Sequence, residues 1–466
     1  MPKKPRRRKG DDNDATVEVD ALPDDHTVAD SLATSFDGDF EDDASIDDLL
    51  STGSGAGGDN SQAATSRRHA KAVDALADIQ DLLSEKRSSK RESGLRRIFR
   101  AISQYGDLDT CAPHQSDLVA LCMQGLRGGS PAEQYASCRC LEAMAVVLGA
   151  DNDEYYEGIE KNLRRVVMMT GRAMMVRGAA LRCLSLTNFV CSTDDVSTES
   201  LLDLAEEVAA KEYRQHQVPA TLRATALDCW ALLATTIHDF YVSGGDDDNT
   251  GRGLVLLPLI QECLDDASSL ELRTAAGQCM VLIHESRLTL GEQDGDNTTE
   301  RKFGTGGWTG SPYEVMFDEM QQRISELSNQ SGHSISKKAK KEQRATFREF
   351  LGTIMDNEAP DEVIAFRGGT LNLSSWKAIV QLQFVRHCLQ GGFQIQLLTN
   401  PTLQMIFGAD GAVLNSNSSG MSQLEKRLYM SKTSEASKLE QKAMTKKRRT
   451  RNNIKNHFLT TDGDDL

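Results

Sequence analysis

The densest group of residues that could do chemistry is a run of eight cationic side chains near the end of the sequence. They fall within 18 residues: Lys438, Lys442, Lys446, Lys447, Arg448, Arg449, Arg451 and Lys455. Lysine and arginine neutralise phosphates, and five such contacts would give log affinity a slope of roughly −4 to −5 against log salt. The run therefore predicts a segment that contacts the phosphates of RNA. A nuclear localisation signal and a solvated helix remain the alternatives.

Other charged segments surround this prediction. A secondary basic cluster, which we expect to extend the same surface, consists of Lys337, Lys338, Lys340, Lys341, Arg344 and Arg348. The run from Lys3 to Lys9 favours a targeting signal or a non-specific anchor. Residues 10–60 hold 16 Asp or Glu and no Lys or Arg, which matches the net charge of −16. An acidic segment of this kind could mask the basic one, and salt would weaken the attraction.

Catalytic and metal-binding patterns are weak by comparison. Cys138 and Cys140 lack a second ligand pair nearby, and a helix puts their thiols on different faces. His238-Asp239 are adjacent, so they would not face each other on a helix. The glycine-rich stretch 304–310 has no strand before it and no Gly-Lys-Ser/Thr after it. We therefore expect a non-enzymatic protein with no catalytic residue, metal, cofactor or small-molecule substrate.

A sequence repeat predicts the elements that must position these groups. A seven-residue frame begins with an arginine and has a small residue three positions before its last residue. Four copies of this frame begin at Arg91, Arg177, Arg223 and Arg273. A weaker copy starts at Gln134, and the five copies end at 97, 140, 183, 229 and 279, in steps of 43, 43, 46 and 50. A period of about 40–47 residues is typical of HEAT or armadillo units. Such units stack into a solenoid that serves as a surface for partners.

Each frame position has an expected structural role. We expect the arginine to keep its guanidinium at the surface, and the small residue to face a neighbouring helix. A contact of the arginine with a carbonyl or an ion pair between repeats is favoured over a phosphate contact. The helices themselves are predicted at 66–86, 88–104, 115–127, 131–148, 153–169, 172–191, 197–213, 218–240, 254–265 and 268–288.

The sequence changes character after residue 312. Helices are predicted near 313–328 and over 341–356. Alternating residues around Gly368-Gly369 predict a hairpin over 362–373. A helix containing Trp376 and ending at Gly391-Gly392, a strand at 393–398 and a helix over 401–407 would complete a compact α+β unit.

The predicted fold class is mainly α: a HEAT/armadillo-like helical-repeat solenoid with a small α+β C-terminal unit and disordered termini. Residues 1–64 are expected to be a disordered tail and 65–330 the repeat domain, with Gly/Asp-rich insertions at 243–253 and 291–312. Residues 331–410 would form the compact C-terminal domain and 411–466 a basic helical tail. No uncharged apolar run reaches the length of a membrane span.

Six of the ten cysteines fall in apolar helical stretches, where a free cysteine packs as a small apolar side chain: Cys138, Cys140, Cys183, Cys191, Cys229 and Cys279. No secretory signal is visible at the start of the sequence. We therefore expect a reducing compartment.

The stretches Lys341–Leu351 and Pro360–Phe366, followed by Trp376 and Phe384, resemble the interferon-related developmental regulator family. Leu398-Thr399-Asn400, Leu403, Ile406 and Phe407 continue the similarity, and Asp43–Ile46 is similar to the acidic motif of the family. The resemblance implies a non-enzymatic regulator located in the cytoplasm and nucleus. It implies either association with ribosomes or RNA, with repression of translation, or a transcriptional coregulator acting through protein partners of the transcription machinery.

Overall fold

The computed structural model describes residues 70–244, 251–293, 313–329, 337–366 and 369–408. The acidic segment 10–60, the glycine-rich stretch 304–310 and the basic run 438–455 lie outside the described residues. Within them the fold is mainly α-helical, as the sequence predicted. Among the described residues, no helix combines the length and the apolar character needed to cross a bilayer.

Helical residues 70–77 come first, and a turn at Asp78 separates them from α1. The helices that follow up to the second insertion are α1 (Ile79–Ser84), α2 (Ser88–Tyr105), α3 (Leu108–Cys111), α4 (Gln115–Gly128), α5 (Pro131–Leu148), α6 (Asp153–Met168), α7 (Met174–Cys191), α8 (Asp195–Ala209), α9 (Ala220–Ala234), α10 (Asp239–Ser243), α11 (Arg252–Asp265) and α12 (Leu270–Gln293). The later helices are α13 (Glu314–Asn329), α14 (Lys337–Asp356), α15 (Trp376–Leu389), α16 (Phe393–Thr399) and α17 (Pro401–Ile406).

The repeat array consists of two rows of helices. The helices that carry the repeat frame, α2, α5, α7, α9 and α12, pack successively against one another, and α14 continues their row. We call them the frame helices. The outer helices α4, α6, α8, α11 and α13 each pack against the frame helix that follows them. This arrangement of stacked helical hairpins confirms the predicted helical-repeat solenoid.

The boundaries of several helices follow from their capping residues. The side chain of Ser130 accepts from the backbone N–H of Glu133, with Pro131 in the first turn, so α5 begins at Pro131 as predicted. The Asp194 carboxylate caps α8 in the same way. The small residue of the first frame, Gly94, faces α1, because a Cβ there would lie 2.4 Å from a methyl of Leu82.

Two predicted helices are shorter than expected, each for a local reason. The helix predicted over 218–240 ends at Ala234, where the hydroxyls of Thr235 and Thr236 bond back to carbonyls of the last turn. The helix predicted over 197–213 ends at Ala209. The chain then forms a small hairpin of β1 (Glu212–Tyr213) and β2 (His216–Gln217), with left-handed backbone at its tip.

The C-terminal elements differ from the prediction at one strand. The hairpin is confirmed, with β3 (Glu362–Phe366) antiparallel to β4 (Gly369–Leu373). Residues 393–398 are helical rather than a strand. Apolar residues in so short a run fit either period, and here the helix α16 packs on α2, with Nε2 of Gln396 donating to the carbonyls of Ile102 and Gly106. The preceding helix ends at Leu389, with Gln390 rather than a glycine in left-handed conformation.

The segment after residue 330 packs on the repeat helices. Helices α13 and α14 pair with each other, and α14 packs on α12. The predicted boundary between residues 330 and 331 falls between these two helices, and the division of the chain into domains stays a prediction. All ten cysteines lie in the described helical core, where they are buried and free.

Candidate functional site

The arginines that begin the repeat frames are buried, with exposed fractions between 3% and 8%. Nε of Arg177 donates to the carbonyl of Val167 over 2.8 Å, and Nε of Arg223 donates to the carbonyl of Ala209 over 2.7 Å. Both carbonyls lie in the last turn of an outer helix, where they have no partner within the helix. Each guanidinium therefore satisfies the end of the preceding outer helix and complements its dipole.

Arg91 joins two repeats by an ion pair. Its Nε lies 2.6 Å from Oε1 of Glu133, and its Nη1 donates to the carbonyl of Glu85 over 2.8 Å. The expectation of surface guanidinium groups is wrong, because these groups satisfy buried carbonyls and carboxylates. The contacts match the alternative of carbonyl contacts and inter-repeat ion pairs. The side chain of Arg273 is also buried in the repeat array. This burial and the nearby charge of Arg323 lower the pKa of Arg273.

A second polar position recurs in the frame, one residue before its end. It holds Arg96, Arg139, Arg182, Asp228 and Gln278 in the five copies. We call the last four of these residues the polar ladder. None of the four was predicted to have a role, although a polar residue occupies the same frame position in each copy. The four residues lie along the row of frame helices, on the side against which α15 packs.

Two rungs of the polar ladder contact the middle of α15. Nη2 of Arg182 lies 2.7 Å from Oδ2 of Asp228, and its guanidinium carbon lies 5.3 Å from the ring centroid of Phe384. Nε2 of Gln278 donates to Oε1 of Gln383 over 2.8 Å. The ladder thus offers α15 a charged pair, a cation–π contact and an amide hydrogen bond.

The N-terminal end of α15 is held by carboxylates of the repeat array. The Glu285 carboxylate accepts from the backbone N–H of Trp376 over 2.8 Å and from that of Lys377 over 3.1 Å. Nζ of Lys377 lies 2.5 Å from Oδ1 of Asp239. Free N–H groups and the positive end of the dipole make a helix start a good site for anionic groups. Burial nevertheless raises the pKa of Glu285.

The C-terminal end of α15 is held by Arg139, which is 1% exposed. Its Nη2 donates to the carbonyls of His387 and Cys388 over 2.5 and 3.2 Å. Its Nη1 lies 2.6 Å from Oε2 of Glu142, and its guanidinium carbon lies 5.0 Å from the ring centroid of Phe99. Burial raises the pKa of Glu142, and the charge of Arg139 opposes that rise.

Beyond α15, side-chain amides continue the attachment. Nε2 of Gln396 donates to the carbonyls of Ile102 and Gly106, and Nδ2 of Asn400 donates to the carbonyl of Val146. Residues 376–400 therefore run along the frame helices in the direction opposite to the repeats. Residues 376–400 of the chain itself therefore cover much of this face of the array.

An open groove remains at the end of the array where α12, α14, α15 and the loop between α14 and β3 meet. Its volume is about 760 Å³. Buried Phe350, Trp376 and Ile379 contribute apolar side chains to its lining. Among the described residues, the lining holds no Lys or Arg, and its six carboxylates are those of Asp228, Glu271, Glu349, Glu358, Asp361 and Glu362. We call this feature the acidic groove.

The acidic groove retains negative charge after its own ion pairs are counted. Asp228 pairs with Arg182, and Glu362 lies 2.7 Å from Nη1 of Arg386. Burial in the groove raises the pKa of Glu349, and the nearby charge of Glu362 raises it further. Carboxylates that repel one another favour a cationic ligand and disfavour phosphate.

The predicted phosphate-binding residues fall in two places. The run 438–455 lies outside the described residues. Arg344 and Arg348 lie on α14 one turn apart, so they share a face, with Arg348 exposed. The other members of the secondary cluster occupy the start of the same helix: Lys337, Lys338, Lys340 and Lys341. The structure thus places the whole secondary cluster on one helix.

The residues considered for catalysis or metal binding have structural contacts. Nδ1 of His238 accepts from the backbone N–H of Phe240 and so caps α10. Sγ of Cys140 donates to the carbonyl of Leu95. A further histidine, the buried His284, has its Nε2 3.1 Å from Oδ1 of Asn357, and burial lowers the pKa of its imidazole. The described part of the chain holds no cluster of three or more potential metal ligands.

Comparison with known proteins identifies the family to which the chain belongs. A family model described as Interferon-related developmental regulator (IFRD) matches residues 44–355, which is more than half of the chain. The chain belongs to the interferon-related developmental regulator family. The region of this chain that the IFRD family model matches contains the whole repeat array up to α14. Helix α15, which covers the polar ladder, follows that region.

Similarity to individual IFRD proteins extends over most of the chain. The human protein named Interferon-related developmental regulator 1 is 23% identical over 399 residues, which cover 82% of each chain. The mouse protein of that name is 22% identical over 372 residues, covering 76% of this chain and 77% of its own. The family name describes a regulator, in agreement with the prediction of a regulatory protein.

Proposed function

We propose that this protein is a non-enzymatic regulator of gene expression that associates with ribosomes or RNA through its basic segment 438–455. The charge pattern of that segment carries the proposal, because eight cations within 18 residues match a string of phosphates. Two features of the repeat array support it. The arginines that begin the repeat frames are buried, so they are not available to bind phosphates. The carboxylates of the acidic groove would repel phosphates.

The secondary basic cluster fits the same function. On α14 the positions of Lys337, Lys341, Arg344 and Arg348 are spaced four, three and four residues apart, which is the spacing of one helical face. This face of the helix would add phosphate contacts beside those of the basic segment. We expect Arg348→Gln to weaken RNA binding alike across sequences and to reduce the salt slope by about one.

The salt dependence of RNA binding tests the proposal directly. Binding to a labelled duplex RNA is measured between 50 and 300 mM salt by fluorescence anisotropy. We expect the full chain to show a slope of roughly −4 to −5, if five cations of the segment meet phosphates. Replacing Lys446, Lys447, Arg448, Arg449 and Arg451 by glutamine should remove most of that slope and lower affinity at least about tenfold at low salt.

The N-terminal run supplies a matched control. Replacing Lys3, Lys4, Arg6, Arg7 and Arg8 by glutamine removes the same number of positive charges, five, from a different segment. The slope should then stay within about one unit of that of the unmodified chain. An equal loss in the two variants would show that net charge, and not the basic segment, governs binding.

Fractionation of cell extract tests association with ribosomes. In a sucrose gradient at low salt we expect the full chain to sediment with ribosomes, and a chain lacking residues 421–466 to stay near the top. RNase treatment and high salt should release the full chain, since phosphate contacts are screened. Partner binding that survives both the deletion and the nuclease would instead favour the alternative, a coregulator acting through protein partners of the transcription machinery. The proposal places the protein in the cytoplasm and nucleus.

A further inference from the structure

We infer that the acidic groove is the docking site of the chain's own basic segment 438–455 when that segment is not engaged by RNA. The inference deepens the proposed function, on which it rests for what displaces the segment. It gives the phosphate-binding segment an intramolecular competitor. Binding to RNA would then require release from the groove, so occupancy of the groove would regulate association.

Charge complementarity is the first support. Four of the six carboxylates in the groove, those of Glu271, Glu349, Glu358 and Asp361, form no ion pair with a described cation. Pairing them with lysine or arginine would relieve their mutual repulsion. A cation brought near Glu349 would favour its charged form, which burial and Glu362 now disfavour.

The shape of the groove is the second support. A volume of about 760 Å³ can take several long side chains of a peptide. The apolar stems of lysine and arginine can lie along Phe350 and Ile379 while their charged ends reach the carboxylates at the rim.

The linker between Gly408 and the basic segment is long enough for the basic segment to reach the acidic groove. The described chain ends at Gly408, and the basic segment begins 30 residues later. An extended chain of that length spans up to about 100 Å. Helix α15, whose first residue lines the groove, is 14 residues or about 21 Å long, and α16 and α17, which follow it before Gly408, are seven and six residues long and add at most about 20 Å. A tethered segment within such a reach has an effective concentration on the order of millimolar, well above that of a free competitor.

The other strong candidate for binding the basic segment is the acidic segment 10–60 of the same chain, with its 16 carboxylates. Its carboxylates are spread along 51 residues of sequence, whereas the six carboxylates of the acidic groove line one cavity with apolar side chains. The basic segment of a second copy is a further candidate occupant of the groove. An experiment therefore has to identify which chain and which residues touch the groove.

Photo-crosslinking makes that identification. Ala359 is exposed and lines the groove, so p-benzoylphenylalanine at this position would contact an occupant. In the full-length chain at low salt we expect cross-links within the same molecule to residues 438–455, located by mass spectrometry. The same group at the exposed outer-row residue Glu157 should give none. Cross-links from position 359 to a second copy or to residues 10–60, or no cross-link at all, would overturn the inference.

A charge-neutral groove gives a second measurement. The groove variant combines Glu349→Gln, Glu358→Gln and Asp361→Asn. The control variant combines Glu157→Gln, Glu199→Gln and Glu207→Gln, three exposed residues outside the groove lining. We expect trypsin to cleave the basic segment several-fold faster in the groove variant than in the unmodified chain or the control. Equal cleavage rates in all three chains would contradict docking.

RNA affinity links the groove to the proposed function. A segment docked nine-tenths of the time would bind RNA about tenfold more weakly than a free one. The groove variant should therefore bind RNA about tenfold more tightly than the control variant. Equal affinities would overturn the inference. If no variant binds RNA, the proposed function fails, and the cross-linking and cleavage results decide docking independently.

Discussion

Arg139→Ala should lower the free energy of unfolding by about 3–5 kcal/mol, measured by urea titration followed by circular dichroism. The substitution removes both hydrogen bonds to the carbonyls at the end of α15 and leaves the carboxylate of Glu142, 1% exposed, without its ion-pair partner. An unpaired buried charge is the costly result of such a truncation. Arg127→Ala removes an exposed arginine of α4 and should cost less than about 1 kcal/mol.

A double variant separates the charge from the packing. In the chain with Arg139→Met and Glu142→Leu, no charge remains to be desolvated, so most of the lost stability should return. The lost hydrogen bonds to α15 would account for the remaining deficit. If the double variant were no more stable than Arg139→Ala, the ion pair would not explain the effect.

The pH dependence of the Arg139→Ala effect has a defined sign. The folded-state pKa of Glu142 is raised by burial, and removing Arg139 takes away the charge that opposes the rise. A group with a raised folded pKa contributes stability below its unfolded pKa of about 4.3, and loses that contribution as pH rises through the folded pKa. The cost of Arg139→Ala should therefore be smaller near pH 4.5 than at pH 7. A cost that falls with rising pH would contradict the assignment.

Trp376→Ala should also destabilise the fold by about 3–5 kcal/mol, because it truncates a large core side chain. Trp376 is 3% exposed, its ring centroid lies 5.3 Å from that of Phe350, and its Nε1 donates to Oγ1 of Thr353 over 3.0 Å. It therefore fixes the start of α15 to α14. Amide hydrogen exchange in α15 should accelerate in parallel with the loss of stability.

Two further variants show what part of the tryptophan matters. Trp376→Phe keeps an aromatic ring but loses the hydrogen bond to Thr353, and should cost about 1–3 kcal/mol. Tyr241→Ala removes an aromatic side chain that is 63% exposed, so it should change stability by less than about 1 kcal/mol. If Trp376→Ala costs no more than Tyr241→Ala, α15 is not anchored to the array through this residue.

The features that the sequence predicted well are those set by neighbours along the chain. The period of the frame reflects one helical hairpin per repeat. The helix predicted over 131–148 has those bounds because the Ser130 side chain satisfies a nearby N–H group at its start. The hairpin around Gly368-Gly369 follows from alternation and turn chemistry. The family resemblance of residues 44–355 is likewise a property of the sequence.

The sequence-based predictions of burial and secondary structure were wrong where contacts with a segment distant in the sequence determine the structure. Arg177 is buried because its guanidinium donates to the carbonyl of Val167 at the end of the preceding outer helix. The spacing of residues in the repeat frame does not reveal this contact between helices. Residues 393–398 become helical because α2 offers a surface for a helical face and no described strand lies beside them. Short apolar runs fit both periods, so packing has to decide between them.

The sequence by itself determined the helical repeat, the family and the location of the charged segments, because local periodicity and composition carry that information. Only the tertiary structure decided that α15 covers the polar ladder and that six carboxylates meet in one groove. Asp228 and Glu362 are 134 positions apart in the chain, yet both line that groove. Burial and electrostatic repulsion depend on distances in space, and those distances exist only after the repeats have stacked.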